Sequence, residues 1–166
     1  MFYNCTSLTT FDIVDLSSLT SCSYMFSGCT ALTGFYASLS SITNGTRMFS
    51  KNSAITTFVS DLSSMTKFVD SFYWAGPTGR EMFYGCTALA TFDANMDNLI
   101  VGGKVDDGIL SWSTGMFQNC TSLTTFKSSM KSCKSIGFMF YGCTALTSFD
   151  ADLSGLNSTW TPPSDI

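Results

Sequence analysis

The side chains best suited to chemistry are few and stand apart. The chain carries seven cysteines, twelve acidic residues and no histidine, and Glu81 is its one glutamate. A cysteine nucleophile needs a base beside it, and no imidazole is present to serve. General acid–base work would fall on carboxylates that are scattered along the chain. Asp150 and Asp152 are near neighbours, but alternation along a strand does not give the opposed pair that hydrolysis needs. No Gly-rich phosphate loop follows a strand, and no G-x-S-x-G is present. Asp106-Asp107-Gly108, with Asp97, offers oxygens to Ca²⁺; a calcium loop needs six or more in a set arrangement, and the spacing reads as an ordinary turn. The residue types therefore predict a protein that is not an enzyme, with no catalytic residue, metal site or cofactor.

The cysteines point to architecture instead. Cys5, Cys29, Cys86, Cys120 and Cys143 occupy one position of a block, M-F-Y-G-C-T-A-L-T-S-F at Met139–Phe149, that is written six times. The other copies begin at Met1, Met25, Met48, Met82 and Met116. Only the third departs much, with Asn52 for the cysteine and Ile55 for the leucine. A cysteine recurring once per repeat reads as a small buried residue rather than a disulfide framework. Cys22 and Cys133 fall outside that position.

The steps between blocks are 24, 23, 34, 34 and 23 residues. The base period is 23, and two consecutive repeats each carry eleven extra residues. Self-similarity at this period is the mark of a solenoid. Within a repeat, C-x-x-L-x-x-F-x-A ends in an alternation such as Phe149 in, Asp150 out, Ala151 in, which is a short strand of period 2. Two apolar residues three apart follow, as in Leu39/Ile42 and Leu153/Leu156, and predict a turn and return path. The Met-Phe pair then opens a helical or 3₁₀ turn. One such coil cannot bury its own apolar face; six stacked coils build a continuous core, with parallel strands about 4.8 Å apart.

The block resembles the BspA-type leucine-rich repeats of bacterial and protist surface proteins, and is similar to the Met-Phe-bearing repeats of mycoplasma-type lipoproteins. L-T-S-F-D-A matches the strand pattern L-x-x-L-x-L with Phe at the second leucine. The resemblance covers the chain apart from two inserts and the end. It implies a right-handed solenoid with a parallel β-sheet on one face, short helical or 3₁₀ turns on the other, and six coils of about 23 residues. It also implies a surface adhesion or host-interaction role, and carries over no particular ligand residues. The expected organisation is one solenoid over residues 1–156, with inserts at about 72–81 and 105–115, and a tail or cap over 157–166. Trp160 and Pro162-Pro163 fit a segment that ends strand pairing.

Net charge is −4, with no basic run, so nothing draws the chain to nucleic acid or an anionic membrane. Apolar runs fall well short of the roughly 20 residues that span a bilayer. Charged residues make up only 12%, about half the usual share, so Ser, Thr, Asn and Gly must dress the surface. That suits an extracellular or cell-surface location, a virion surface included. Met1 lies inside a repeat with no cap before it, and the expectation is a processed or longer chain, or another subunit, covering that edge.

Two surfaces are candidates for binding. The inserts leave one face of adjacent coils and carry Phe72, Tyr73, Trp74 and Trp112, rigid amphipathic side chains of the kind enriched at binding hot spots. The sequence leaves open whether these rings bind a ligand or pack on each other. The second surface is the outward strand column Asp12, Tyr36, Val59, Asp93, Lys127 and Asp150. The resemblance makes its varied members Tyr36, Asp93 and Lys127 ligand-binding candidates. The neighbouring column, Thr10, Gly34, Thr57, Thr91, Thr125 and Ser148, is better explained by strand propensity and solubility. The expected partner is a host or neighbouring-cell surface protein or glycan. The alternative is a structural repeat segment of a virion, tail or surface assembly. Four N-x-S/T sequons, at Asn4, Asn44, Asn119 and Asn157, mean something only in a host that glycosylates.

Overall fold

A computed structural model of the chain describes residues 1–12, 16, 18–65, 81–99, 103–104, 110–111, 115–133, 136 and 138–156. The tail over 157–166, most of both inserts and Asp106–Gly108 lie outside these residues. The strands are β1 (Thr10–Phe11), β2 (Gly34–Phe35), β3 (Thr57–Asp61), β4 (Thr91–Asn95), β5 (Gly103–Lys104), β6 (Leu110–Ser111), β7 (Thr125–Ser129) and β8 (Ser148–Asp152). Apart from β5 and β6, each is the strand of one coil. β3, β4, β7 and β8 form a parallel sheet in which Phe58, Phe92, Phe126 and Phe149 share one register. β1 and β2 pair in parallel as a separate piece, with Phe11 opposite Phe35. β5 and β6 pair antiparallel.

Aligned side chains sit over one another. Phe2, Phe26, Phe49, Phe83, Phe117 and Phe140 stack in one column, with centroids 5.3–5.7 Å apart. Phe11, Phe35, Phe58, Phe92, Phe126 and Phe149 stack in a second. Rings of the two columns meet edge to face, as Phe83 meets Phe58 at 4.7 Å and Phe92 at 5.4 Å. Both geometries suit the quadrupole of an aromatic ring. The widest step, 6.4 Å, separates Phe35 from Phe58. It falls where the sheet is split, at the third coil, which also carries Asn52. Met48, Met82, Cys86, Leu89 and Leu123 are fully enclosed around these columns.

The face opposite the sheet is made of single turns, with no helix among the described residues. The apolar pairs three apart each close a turn, as when Ile42 N donates to Leu39 O and Leu156 N to Leu153 O. A second cross-coil ladder runs along this face. Phe26 N donates to Met48 O, Phe49 N to Met82 O and Phe83 N to Met116 O. Gly28 N donates to Ser50 O, and Gly85 N to Gln118 O. A helix would spend these groups within its own coil, so the inter-coil ladder and the helical turn compete, and the ladder wins.

Two positions per coil hold left-handed backbone. Before each methionine stand Tyr24, Arg47, Glu81, Gly115 and Phe138, with φ from 51° to 60°. Before each cysteine position stand Asn4, Gly28, Lys51, Gly85, Asn119 and Gly142, with φ from 56° to 77°. In this second column glycine alternates with a larger residue. At Gly28 and Gly142 contact between coils adds a reason, because a Cβ there would collide with Asn4 Oδ1 and Asn119 Oδ1 respectively.

The cysteine position has a reason beyond size. Cys29 Sγ donates to Phe2 O at 3.0 Å, Cys86 to Phe49 O at 3.0 Å, Cys120 to Phe83 O at 3.1 Å and Cys143 to Phe117 O at 3.0 Å. Each thiol ties its coil to the one before. No disulfide joins any of the seven cysteines. Burial raises the thiols of Cys22 and Cys29 and pushes that of Cys86 up to about 12. Cys120 is raised first by its hydrogen bond with Cys143 and then by burial. Thiols held protonated are poor nucleophiles, which fits a structural ladder.

Candidate recognition surface

The sheet turns one side chain in two outward. In β4, Thr91, Asp93 and Asn95 point away from the core, while Phe92 and Ala94 point in. The parallel register then lines up Val59, Asp93, Lys127 and Asp150 across four coils. Coils two and three present apolar side chains in this column, Tyr36 and Val59, which are 75% and 70% exposed. Coils four to six present charge. Lys127 Nζ lies 3.7 Å from Asp93 Oδ2, an exposed pair that stabilises the fold little. The hydroxyl column bonds along itself, with Thr91 Oγ1 donating to Thr57 Oγ1 at 3.2 Å.

Tyr36 is placed by a glycine. A Cβ at Gly34 would come within 2.7 Å of Tyr36 Cε2 and 2.9 Å of its Oη. The tip of the ring therefore occupies the space over Gly34 that a Cβ would fill, where every other coil carries Thr or Ser. This contact was not read from the sequence, although the lone glycine in a threonine column was its signal.

At the charged end a shallow hollow of about 440 Å³ is bordered by Asp93, Asp97, Lys127, Asp150 and Asp152. Asp97 accepts a hydrogen bond from Ser129 Oγ and pairs with Lys131 Nζ at 3.3 Å. The Ser129 bond, then Lys131, hold its carboxyl below the usual carboxylate range. Asp152 is likewise lowered, first by the Ser154 backbone N–H. Asp97 is thus tied to the neighbouring coil and Asp152 to the turn that follows it, and no group of three His, Cys, Asp or Glu among the described residues could hold a metal ion. Of the sequence candidates, the structure brings Asp93 and Lys127 together and sets Tyr36 apart from them. Phe72, Tyr73, Trp74 and Trp112 lie outside the described residues.

A stack of short parallel strands whose exposed face varies from coil to coil defines a leucine-rich-repeat scaffold. The BspA type leucine-rich repeat region matches residues 1–75 and 77–158 in six copies, and the chain belongs to that family. The crystal structure of a leucine rich cell surface protein from Faecalibacterium prausnitzii A2-165 aligns with 93% of this chain at 18% identity, with a TM-score of 0.30. The chain spans 63% of the length of that protein. No curated protein matches the chain.

Proposed function

We propose that the chain is a non-enzymatic recognition module, displayed outside the cell, that holds a surface protein or glycan of a host or neighbouring cell on its strand face. The observation that carries this reading is Tyr36. A large side chain left 75% exposed, with the tip of its ring packed over a glycine that makes room for it, would have less freedom to lose on binding. Val59 extends the apolar area beside it, and Asp93 and Lys127 supply charge further along the sheet. The aromatic inserts Phe72, Tyr73, Trp74 and Trp112 would widen the contact. The family supports a surface location.

The test is binding of the folded chain to arrays of glycans and of extracellular and cell-surface proteins. A ligand is expected whose affinity falls by about 2 kcal/mol in Tyr36→Ala, the size of a hot-spot loss, with an unchanged melting temperature. Gly34→Thr keeps the ring but lifts it from its seat, and is expected to weaken the same ligand. Trp74→Ala and Trp112→Ala report the share of the inserts in that assay. Ligands indifferent to both Tyr36→Ala and Gly34→Thr would remove the strand face from the account.

A further inference from the structure

The turn face carries a hollow of its own. The position two residues after each methionine is Tyr3, Ser27, Ser50, Tyr84, Gln118 and Tyr141. Large side chains stand there in the first and fourth coils, and serines in the two coils between. The result is a trough of about 610 Å³ whose lining runs from the first coil to the fifth. Ser27 and Ser50 are buried along its floor. Tyr3, Tyr24 and Tyr84 line its walls, and Gln118 lines it beyond Tyr84.

The side wall is built at a cost to the backbone. Tyr24, Arg47 and Glu81 all sit in the left-handed region, where a residue with a Cβ is disfavoured. Gly115 shows that the fold is satisfied there by glycine. The three side chains hold one another: Arg47 Nε lies 2.8 Å from Glu81 Oε2, its NH1 donates to Tyr24 Oη at 3.3 Å, and its guanidinium stands 5.6 Å from the Tyr24 ring centre. Lys51 lines the opposite side and has no ion-pair partner among the described residues.

We propose that this trough is a carbohydrate site that takes pyranose rings of an oligosaccharide. Tyrosine faces along the walls offer apolar area with a polar tip, which suits the C–H face of a sugar ring. Serine hydroxyls and the Arg47–Glu81 pair offer donors and acceptors to its hydroxyls. A concave site with a few placed polar groups is the usual form of a small-ligand site. The trough lies on the face opposite Tyr36, so it is a second site and does not depend on the strand-face reading.

Two variants separate binding from folding. Ser27→Tyr with Ser50→Tyr places in the trough the residue that other coils already carry at that position, and so fills it without a foreign fold element. Tyr24→Gly removes that ring from the wall and relieves its left-handed backbone. The folded chain and both variants are titrated by calorimetry with neutral oligosaccharides (cello- and galacto-oligosaccharides) and with acidic ones (oligogalacturonides and sialyllactose). At least one arm is expected to bind, with at least a tenfold loss in each variant, a melting temperature no lower in Tyr24→Gly, and no change in Tyr36→Ala. Binding in the acidic arm alone would assign Lys51 a carboxylate; binding in the neutral arm would assign the ring faces the main share. No binding in either arm, or binding that survives filling of the trough, would overturn the proposal. A ligand lost in Tyr36→Ala and kept in both trough variants would belong to the strand face and would likewise count against this site.

Discussion

Phe83→Ala is expected to lower the stability of the fold by about 3–5 kcal/mol, the usual cost of deleting a buried phenylalanine ring. The ring is fully buried. It stacks on Phe49 at 5.5 Å and on Phe117 at 5.4 Å, and it meets Phe58 and Phe92 edge to face. Its removal opens a gap in contact with both neighbouring coils. In a repeat stack, stability is close to a sum of coil terms and nearest-neighbour interface terms, so one lost ring weakens two interfaces. Denaturant unfolding followed by far-ultraviolet circular dichroism reads the loss. Phe149→Ala is the comparison, because that ring is 43% exposed in the sixth coil and, among the described residues, stacks on one side only, against Phe126. Its cost is expected to be clearly smaller. Equal costs, or tolerance of Phe83→Ala within about 1 kcal/mol, would mean that the ring columns are not the core.

Asn52→Cys is expected to stabilise the protein by about 1–3 kcal/mol, the desolvation cost of a buried polar group left without a partner. Asn52 is fully buried, and neither Nδ2 nor Oδ1 has a hydrogen-bond partner among the described residues. The equivalent thiols of Cys29, Cys86, Cys120 and Cys143 each donate to a phenylalanine carbonyl of the preceding coil. Cysteine at position 52 would face the carbonyl of Phe26 in the same way, and would take two orphaned atoms out of the core. A higher denaturation midpoint with an unchanged slope is the predicted result. A lower midpoint would show that the asparagine is serving the third coil in a way the thiol cannot. The same coil is where the sheet divides between β2 and β3, so the gain is expected to come with tighter pairing of those strands.

The columns of the core were legible because each is written once per coil. Met, Phe, Cys, Leu and Phe recur at fixed spacing, and stacking follows from the fact that one coil cannot bury them alone. The in–out alternation at Phe92, Asp93 and Ala94 was equally plain and is what the structure has. The Met-Phe pair predicts a helical or 3₁₀ turn, and the face consists of isolated turns tied across coils, because the groups that would close a helix are used by the neighbouring coil. That competition cannot be seen within one repeat. The left-handed columns emerge only in the structure, at Gly28, Gly85 and Gly142 in one and at Tyr24, Arg47 and Glu81 in the other, because residue type does not mark them in the second. The seat of Tyr36 and the trough over Ser27 and Ser50 depend on which small residue stands beside which large one. Those residues are neighbours in space only after the coils are in register. The aromatic inserts, the strongest candidates in the sequence, fall outside the described residues and stay an expectation.

The account rests on coils lying in register, so that residues 34 apart in the chain are neighbours. Nuclear Overhauser contacts between phenylalanine rings, measured with selectively labelled Phe, test this most directly. The account predicts cross-peaks from Phe83 to Phe49 and to Phe117, whose ring centres lie 5.5 and 5.4 Å away. Contacts from Phe83 confined to its own coil, with none to Phe49 or Phe117, would contradict the stacked solenoid and the two surfaces built on it.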